Sequence, residues 1–325
     1  MTPTSYIINQ FYNCQSKEYT NYSTHTKVAI IAEAILYKLW TRIRKARYWK
    51  GKWWKNCNER RENMSDYKLT MRGIHHVYKN KVGDETEAIK LINLNVMEGE
   101  FLAIVGASGC GKSTLLNIMC GMIDPSEGEV LVEGKNIKSE KIKIGYISQS
   151  DTLLPWRNIE SNVALGLEIE GMPKKERLQK AREMMKMSGL SGFEKKYPYE
   201  LSGGMKKRAV IIRALAQNPD IIFMDEPFGP LDVFTRENLQ KEILKMWGER
   251  KNTIIYITHD IAEAITLADR IVLLSHRPSV VKKEYIVDIP RPRVIEECKY
   301  NTEFLKLEKE IWGDIKDELE NGDEE

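Results

Sequence analysis

From residue 67 onward, apolar and polar positions follow two periods that take turns along the chain. Short β-branched and aliphatic runs predict strands over 68–77, 88–97, 101–105, 128–132, 142–148, 221–224, 253–258 and 270–275. Between them, spacing at i, i+3 and i+4 predicts helices over 159–170, 174–187 and 205–216. Strands and helices in alternation predict an α/β fold on a largely parallel sheet. The first two helical runs, separated by Gly171-Met172-Pro173, predict a small helical subdomain inserted at about 152–205 of a domain spanning 67–280. In the C-terminal extension, 281–325, Phe304, Leu307, Ile311, Ile315 and Leu319 share one helical face with acidic neighbours, which predicts a helix capping the domain.

Residues 1–66 depart from this pattern. They are polar and rich in Tyr and Asn to about Thr26, and then place Val28, Ile31, Ala32, Ile35, Leu39 and Ile43 on one helical face. A basic cluster follows, Arg42, Arg44, Lys45, Arg47, Lys50, Lys52 and Lys55, interleaved with Trp40, Trp49, Trp53 and Trp54. Tryptophan at headgroup level and lysine against lipid phosphate suit such a segment to an anionic membrane surface. A poorly ordered extension is the other reading, and Met64 opens a stretch that reads as an ordinary domain start.

Composition narrows the class. Apolar residues make up 42% of the 325 residues and charged residues 30%. No apolar run approaches the ~20 residues that cross a bilayer, so work at a membrane calls for spanning helices from another chain. The apolar-rich stretch 28–39 is broken by Glu33 and Lys38 and starts late for a secretory signal, so no export is expected. Cys14, Cys57, Cys110, Cys120 and Cys298 form no CxxC pair and are odd in number, which suits reduced thiols in a cytosolic compartment rather than zinc or disulfides. Residues 1–66 hold twelve Lys/Arg against five Asp/Glu, or +7, so the rest carries −4 of the total +3. A mildly acidic body argues against a dedicated nucleic-acid surface there.

The chemistry starts at Gly106-Ala107-Ser108-Gly109-Cys110-Gly111-Lys112-Ser113-Thr114, which matches GxxxxGK[ST] directly after the apolar run 101–105. Strand, glycine-rich loop and helix start form a phosphate cradle: backbone N–H groups converge on the anion and the helix adds its positive end. Lys112 is then placed to reach the β- and γ-phosphates, and the Ser113 hydroxyl to ligate Mg²⁺. Asp225 and Glu226 end the apolar run 221–224, at the sheet edge where phosphate ligands sit in such folds. Two acids there call for a cation: Asp225 as a ligand of Mg²⁺, Glu226 as the general base toward water. Leu201-Ser202-Gly203-Gly204-Met205, opening a helix, makes a second anion site, more than one nucleotide needs.

Ser202 stands 23 residues before Asp225, and the LSGGM run resembles the signature of ATP-binding cassette (ABC) ATPases, usually LSGGQ. The resemblance covers roughly 68–275 and implies a P-loop NTPase fold with a mostly parallel core, an N-terminal antiparallel β portion and an inserted helical subdomain. It implies ATP and Mg²⁺ as cofactors. It also implies a head-to-tail pair of ATPase subunits in which Ser202, Gly203 and Gly204 of one close over the γ-phosphate held by the other. Gln149 resembles the glutamine that reaches Mg²⁺ and the attacking water, and His259 the histidine that contacts the γ-phosphate. Pro230-Leu231-Asp232 resembles the loop that meets its counterpart across the dimer, and Tyr78 stands where adenine stacks. Alone, a glutamine or histidine at a strand end is ordinary; the ordered set of loop, Gln, signature, acidic pair and His carries the resemblance.

Leu153-Leu154-Pro155-Trp156, the methionine-ended signature, 225–232, Thr258-His259-Asp260-Ile261-Ala262-Glu263-Ala264, the basic proline-bearing segment 276–278 and Asp288-Ile289-Pro290-Arg291-Pro292-Arg293 are similar to the ATPase subunits of bacterial importers for nitrate, sulfonate, taurine or bicarbonate. That branch implies transmembrane permease subunits, a solute-binding protein reached through them, and a peripheral place on the cytoplasmic face of the membrane. Pro155 and Trp156 lie where a permease coupling helix would dock, or else pack the helical insert. A soluble cassette ATPase acting on DNA or ribosomes is the alternative; those proteins carry two cassettes or a long coiled-coil insertion, whereas this chain has one motif set and a short insert. An inactive cassette would be expected to lack Glu226, His259 or Lys112, and all are present.

Overall fold

The computed structural model describes residues 67–79, 84–138, 142–229 and 231–322; the basic, Trp-rich stretch expected over 1–66 and Pro230 lie outside the described residues. The strands expected from the apolar runs form as β1 (Tyr67–Lys79), β2 (Glu85–Met97), β3 (Phe101–Val105), β4 (Glu127–Val132), β6 (Ile144–Ile147), β7 (Ile221–Asp225), β8 (Thr253–Ile257) and β9 (Arg270–Leu274). Two more were not expected, β5 (Lys135–Asn136) and β10 (Ser279–Ile286). β5 has only two residues, and β10 carries Lys282, Lys283 and Glu284 mid-strand, too polar to read as an apolar run.

All ten pair in one sheet of order β5-β4-β1-β2-β10-β9-β3-β8-β7-β6. β9, β3, β8, β7 and β6 run parallel to one another, while β1 pairs antiparallel with both β2 and β4. The expected α/β architecture, parallel core with an antiparallel N-terminal part, is what forms. β3 and β8 are buried at every residue, because helices cover both faces of a parallel sheet and leave no solvated side. β10 joins the two sectors, parallel to β2 and antiparallel to β9.

Between β6 and β7 the chain forms α2 (Ile159–Val163), α3 (Leu165–Ile169), α4 (Lys174–Met187) and α5 (Gly203–Ala216). The single helix expected over 159–170 is broken at Ala164, which ends α2 and starts α3. Gly166 of α3 lies against the Gln217 side chain, which would have to move for a Cβ there. Within α2, fully buried Asn162 gathers the preceding loop: its Oδ1 accepts from Leu154 N at 2.7 Å and its Nδ2 faces the carbonyls of Leu154, Arg157 and Asn158 at 2.9–3.1 Å. This clamp presents Trp156, 72% exposed, on a fixed loop.

α6 (Val233–Arg250) and α7 (Ile261–Leu267) follow β7 and β8, and α8 (Ile295–Cys298) precedes α9 (Thr302–Gly322), the expected C-terminal helix. Phe304 and Ile311 of α9 are buried in the main core. Arg293 ties this C-terminal segment down. Its guanidinium is buried and donates to the carbonyls of Ile265, Thr266 and Ala268, the orphan acceptors at the end of α7, and to those of Val287 and Ile289. Arg293→Met should therefore lower unfolding free energy by about 2–4 kcal/mol, since several buried carbonyls lose their donor at once. Urea unfolding reads the change; a loss below about 1 kcal/mol would mean the carbonyls find other partners.

Candidate phosphate-binding and hydrolysis site

The phosphate loop leaves the buried strand β3 and enters α1 (Lys112–Met119). At the helix start Gly111 has φ 101°, and a Cβ there would stand 3.1 Å from Ser279 Oγ and 3.2 Å from Ala88 O. At the other end a Cβ on Gly106 would fall 2.8 Å from the Cys110 sulfur, so the loop can curl this tightly only with glycine at both positions. Ala107, Ser108 and Gly109 form the open side of the curl, whereas Cys110 turns its thiol into the core, where burial pushes its pKa up and keeps it neutral. Lys112 Nζ spans the mouth of the loop, donating to Gly106 O at 2.9 Å and Ala107 O at 2.8 Å. Thr114 Oγ1 lies 3.2 Å from the hydroxyl of Tyr78, which is 42% exposed and packed edge-on by His76 at 4.6 Å.

β7 brings the acidic pair opposite this loop. Ser113 Oγ donates to Asp225 Oδ1 at 3.3 Å. Burial raises the Asp225 carboxyl above the usual range; the Ser113 hydrogen bond and Lys112 oppose the shift, and neighbouring Glu226 adds to it. A hydroxyl and a carboxylate so placed are hard oxygen donors. Mg²⁺ is a cation that takes one or two protein oxygens of this kind and completes its shell with phosphate and water.

Glu226 takes φ 41°, a left-handed conformation unusual for a non-glycine residue, while its N–H still donates to Ile257 O at 3.1 Å. That twist turns its carboxylate between two other strand ends. Gln149 Nε2 donates to Glu226 Oε2 at 3.2 Å, and His259 Nδ1 stands 3.2 Å from Glu226 Oε1. Next to His259, buried Glu263 accepts from Tyr256 OH, from Oγ1 of the preceding residue, Thr258, at 3.0 Å and from Gln240 Nε2 at 3.2 Å. Asp260 caps α7 by accepting from Glu263 N at 3.0 Å. Burial raises the Glu263 carboxyl, its hydrogen bonds notwithstanding.

Tyr78, residues 106–114, Gln149, Asp225, Glu226 and His259, all named from the sequence, thus meet at one sheet edge. Ser202, Gly203 and Gly204 take no part in that cluster. Ser202 caps α5, its Oγ accepting from Met205 N at 3.4 Å, and Gly204 backs onto Thr235 of α6 so closely that a Cβ would lie 2.6 Å from its methyl. The sequence reading missed Lys207 and Arg213. Lys207 is buried on α5 and donates to the carbonyls of Ser148 and Gln149, and Arg213 donates to Thr152 O at 2.6 Å. The signal was there for Lys207: it falls three and four positions before buried Val210 and Ile211, on the apolar face where a lysine needs a reason.

Residues 89–229 match the family model described as ABC transporter. The chain is 46% identical over 237 residues to an uncharacterized ABC transporter ATP-binding protein, MJ0412, of Methanocaldococcus jannaschii, covering 73% of this chain and 87% of that protein. It is 40% identical over 245 residues to the taurine import ATP-binding protein TauB of Escherichia coli (strain K12), covering 74% of this chain and 95% of TauB. Among solved structures it resembles the ATP-binding cassette MJ0796 in a dimeric, post-hydrolysis state bound to ADP and Pi, with TM-score 0.61, 34% identity, and 68% of this chain and all of that one covered.

Proposed function

This chain belongs to the ABC transporter family of ATP-binding, ATP-hydrolysing subunits, and on that premise we propose that it powers a bacterial-type importer for a small solute of the nitrate, sulfonate, taurine or bicarbonate kind. The observation that carries the hydrolytic part is the Glu226 carboxylate, with Gln149 on one oxygen and His259 on the other, beside the Ser113–Asp225 pair. Phosphoryl transfer to water needs positioning and charge neutralisation more than covalent help. In this reading the amides of 106–114 and Lys112 hold the β- and γ-phosphates, and Tyr78 stacks the adenine. Ser113, Asp225 and Gln149 hold Mg²⁺, which when bound offsets phosphate charge. Glu226 takes the proton of the attacking water, and His259 fixes that carboxylate.

The placement of Ser202, Gly203 and Gly204 outside the cluster supports a site completed in trans, by a second copy or a paired ATPase subunit, and the solved relative is itself dimeric. ATP then favours the closed pair because closure adds contacts that the open state lacks, and hydrolysis removes them. No helix among the described residues is long and apolar enough to cross a membrane, so in this reading permease subunits supply the path and this chain sits at their cytoplasmic face. Likeness to a taurine import protein supports the solute class.

The test is recovery of the full-length chain from detergent-solubilised membranes of its own cells. A polytopic membrane protein should come with it, and ATP hydrolysis in the rebuilt complex should rise with the solute. Recovery with nucleic acid and no membrane protein would overturn the reading. Trp156, exposed on the loop clamped by Asn162, is the expected anchor for the permease: Trp156→Ala should cut recovery of the membrane partner by about tenfold or more, the scale of an aromatic hot spot. ATP turnover by the isolated chain should meanwhile stay within about twofold, and equal recovery would place the permease elsewhere.

A further inference from the structure

Lys207 is a costly side chain beside the site. It is 1% exposed, and among the described residues no carboxylate pairs with it; burial pulls its ammonium below the usual lysine range, with Asp151 opposing at longer reach. A methionine of similar length would fill the slot without desolvating a charge. What the lysine gains there is two acceptors, Ser148 O at 2.8 Å and Gln149 O at 3.0 Å, at the end of β6. These are the carbonyls of the very residue whose side chain reaches Glu226 and of its neighbour. The lysine itself rides on α5, five residues past the cap Ser202, or ~7.5 Å along the helix axis at 1.5 Å per residue.

One side chain therefore joins the helix that starts at the signature to the backbone of Gln149. Arg213, further along α5, holds Thr152 of the same loop, so the helix grips the loop at two points. A shift or tilt of α5 must carry the 148–152 backbone with it or break charge-assisted bonds in a buried slot. The far end of that path is the Gln149 amide on Glu226 Oε2, at 3.2 Å.

We propose that Lys207 is a positioning residue for ATP hydrolysis: it sets the Gln149 side chain on Glu226 according to where the Ser202 helix lies. The inference rests on the proposed roles of Gln149 and Glu226. It makes the glutamine's placement depend on the helix that carries the second anion site, so engagement of Ser202 by a partner's nucleotide is felt at this chain's own Glu226.

A double-mutant cycle on the full-length chain tests it, with steady-state ATP turnover and thermal melting measured for wild type, Lys207→Met, Gln149→Ala and the double variant. Lys207→Met should lower kcat about tenfold with KM for ATP within about twofold, a size usual for residues that relay rather than touch. In the Gln149→Ala background the same substitution should change kcat by less than about twofold, because the group it positions is gone. A packing defect would slow both backgrounds alike, and that result, or wild-type turnover of Lys207→Met beside a slow Gln149→Ala, overturns the inference. Wild-type turnover of Gln149→Ala would instead sink the reading of Gln149 on which it rests. Lys207→Gln keeps an N–H donor on a shorter stem, and an intermediate rate with the same dependence on Gln149 is expected. It serves in the cycle should Lys207→Met melt early, and an additive result there overturns the inference equally.

Discussion

Glu226→Gln is expected to lower ATP turnover about 100- to 1,000-fold while leaving ATP affinity within about threefold. The reason is the pair of contacts at 3.2 Å. Glutamine is isosteric with glutamate, so an oxygen can still face Gln149 or His259, but the amide cannot accept a proton from water at that place. Nothing in the phosphate loop depends on the carboxylate: Lys112 is held by Gly106 and Ala107, and Ser113 by Asp225. Binding should therefore survive and chemistry should fail. A cassette that closes on ATP and cannot hydrolyse it should accumulate as a dimer, so gel filtration with ATP should show the variant at twice the monomer mass and the wild type mostly as monomer. Turnover at the parental rate would remove Glu226 from the role of base. A slow variant that stays monomeric with ATP bound would keep that role and refute closure in trans.

Lys112→Ala should weaken ATP binding by at least about 100-fold, equivalent to about 2.7 kcal/mol. Two effects add. The ammonium that would face the β- and γ-phosphates is lost, and so is the donor that holds both the Gly106 and Ala107 carbonyls. Lys112→Arg is not a conservative rescue, because a planar guanidinium is wider than the ammonium that fits this buried slot. Isothermal titration with a slowly hydrolysed ATP analogue reads the affinity directly. An affinity within about threefold of wild type would sink the phosphate-loop reading. Loss of binding together with early melting would leave loop collapse as the cause, and circular dichroism melting separates the two.

Most of the site is legible in the sequence because its chemistry depends on short, local patterns. The phosphate loop declares itself through glycines that must sit at fixed offsets, and Asp225-Glu226 through acids set at the end of an apolar strand. The parallel strands were equally legible, since burial on both faces writes them as continuous apolar runs. β10 and the break at Ala164 were not. The first pairs through its backbone while carrying charged side chains, and the second falls two residues before Gly166, which packs on Gln217, a neighbour distant in sequence.

The sequence by itself determined the elements, the loop that grips phosphate, the acids beside it and the family resemblance, because each is written within a window of a few residues. Tertiary structure alone decided who touches whom. Only folding brings Gln149, Glu226 and His259, from three separate strand ends, within one carboxylate's reach, and only the twist at Glu226 aims that carboxylate between them. Lys207 makes the same point most sharply. On paper it is a misplaced charge on an apolar helix face, and in the fold it holds the backbone of Gln149. The physical reason is range: glycine geometry and hydrophobic period act along the chain, whereas a buried hydrogen bond acts between segments whose meeting no local pattern encodes.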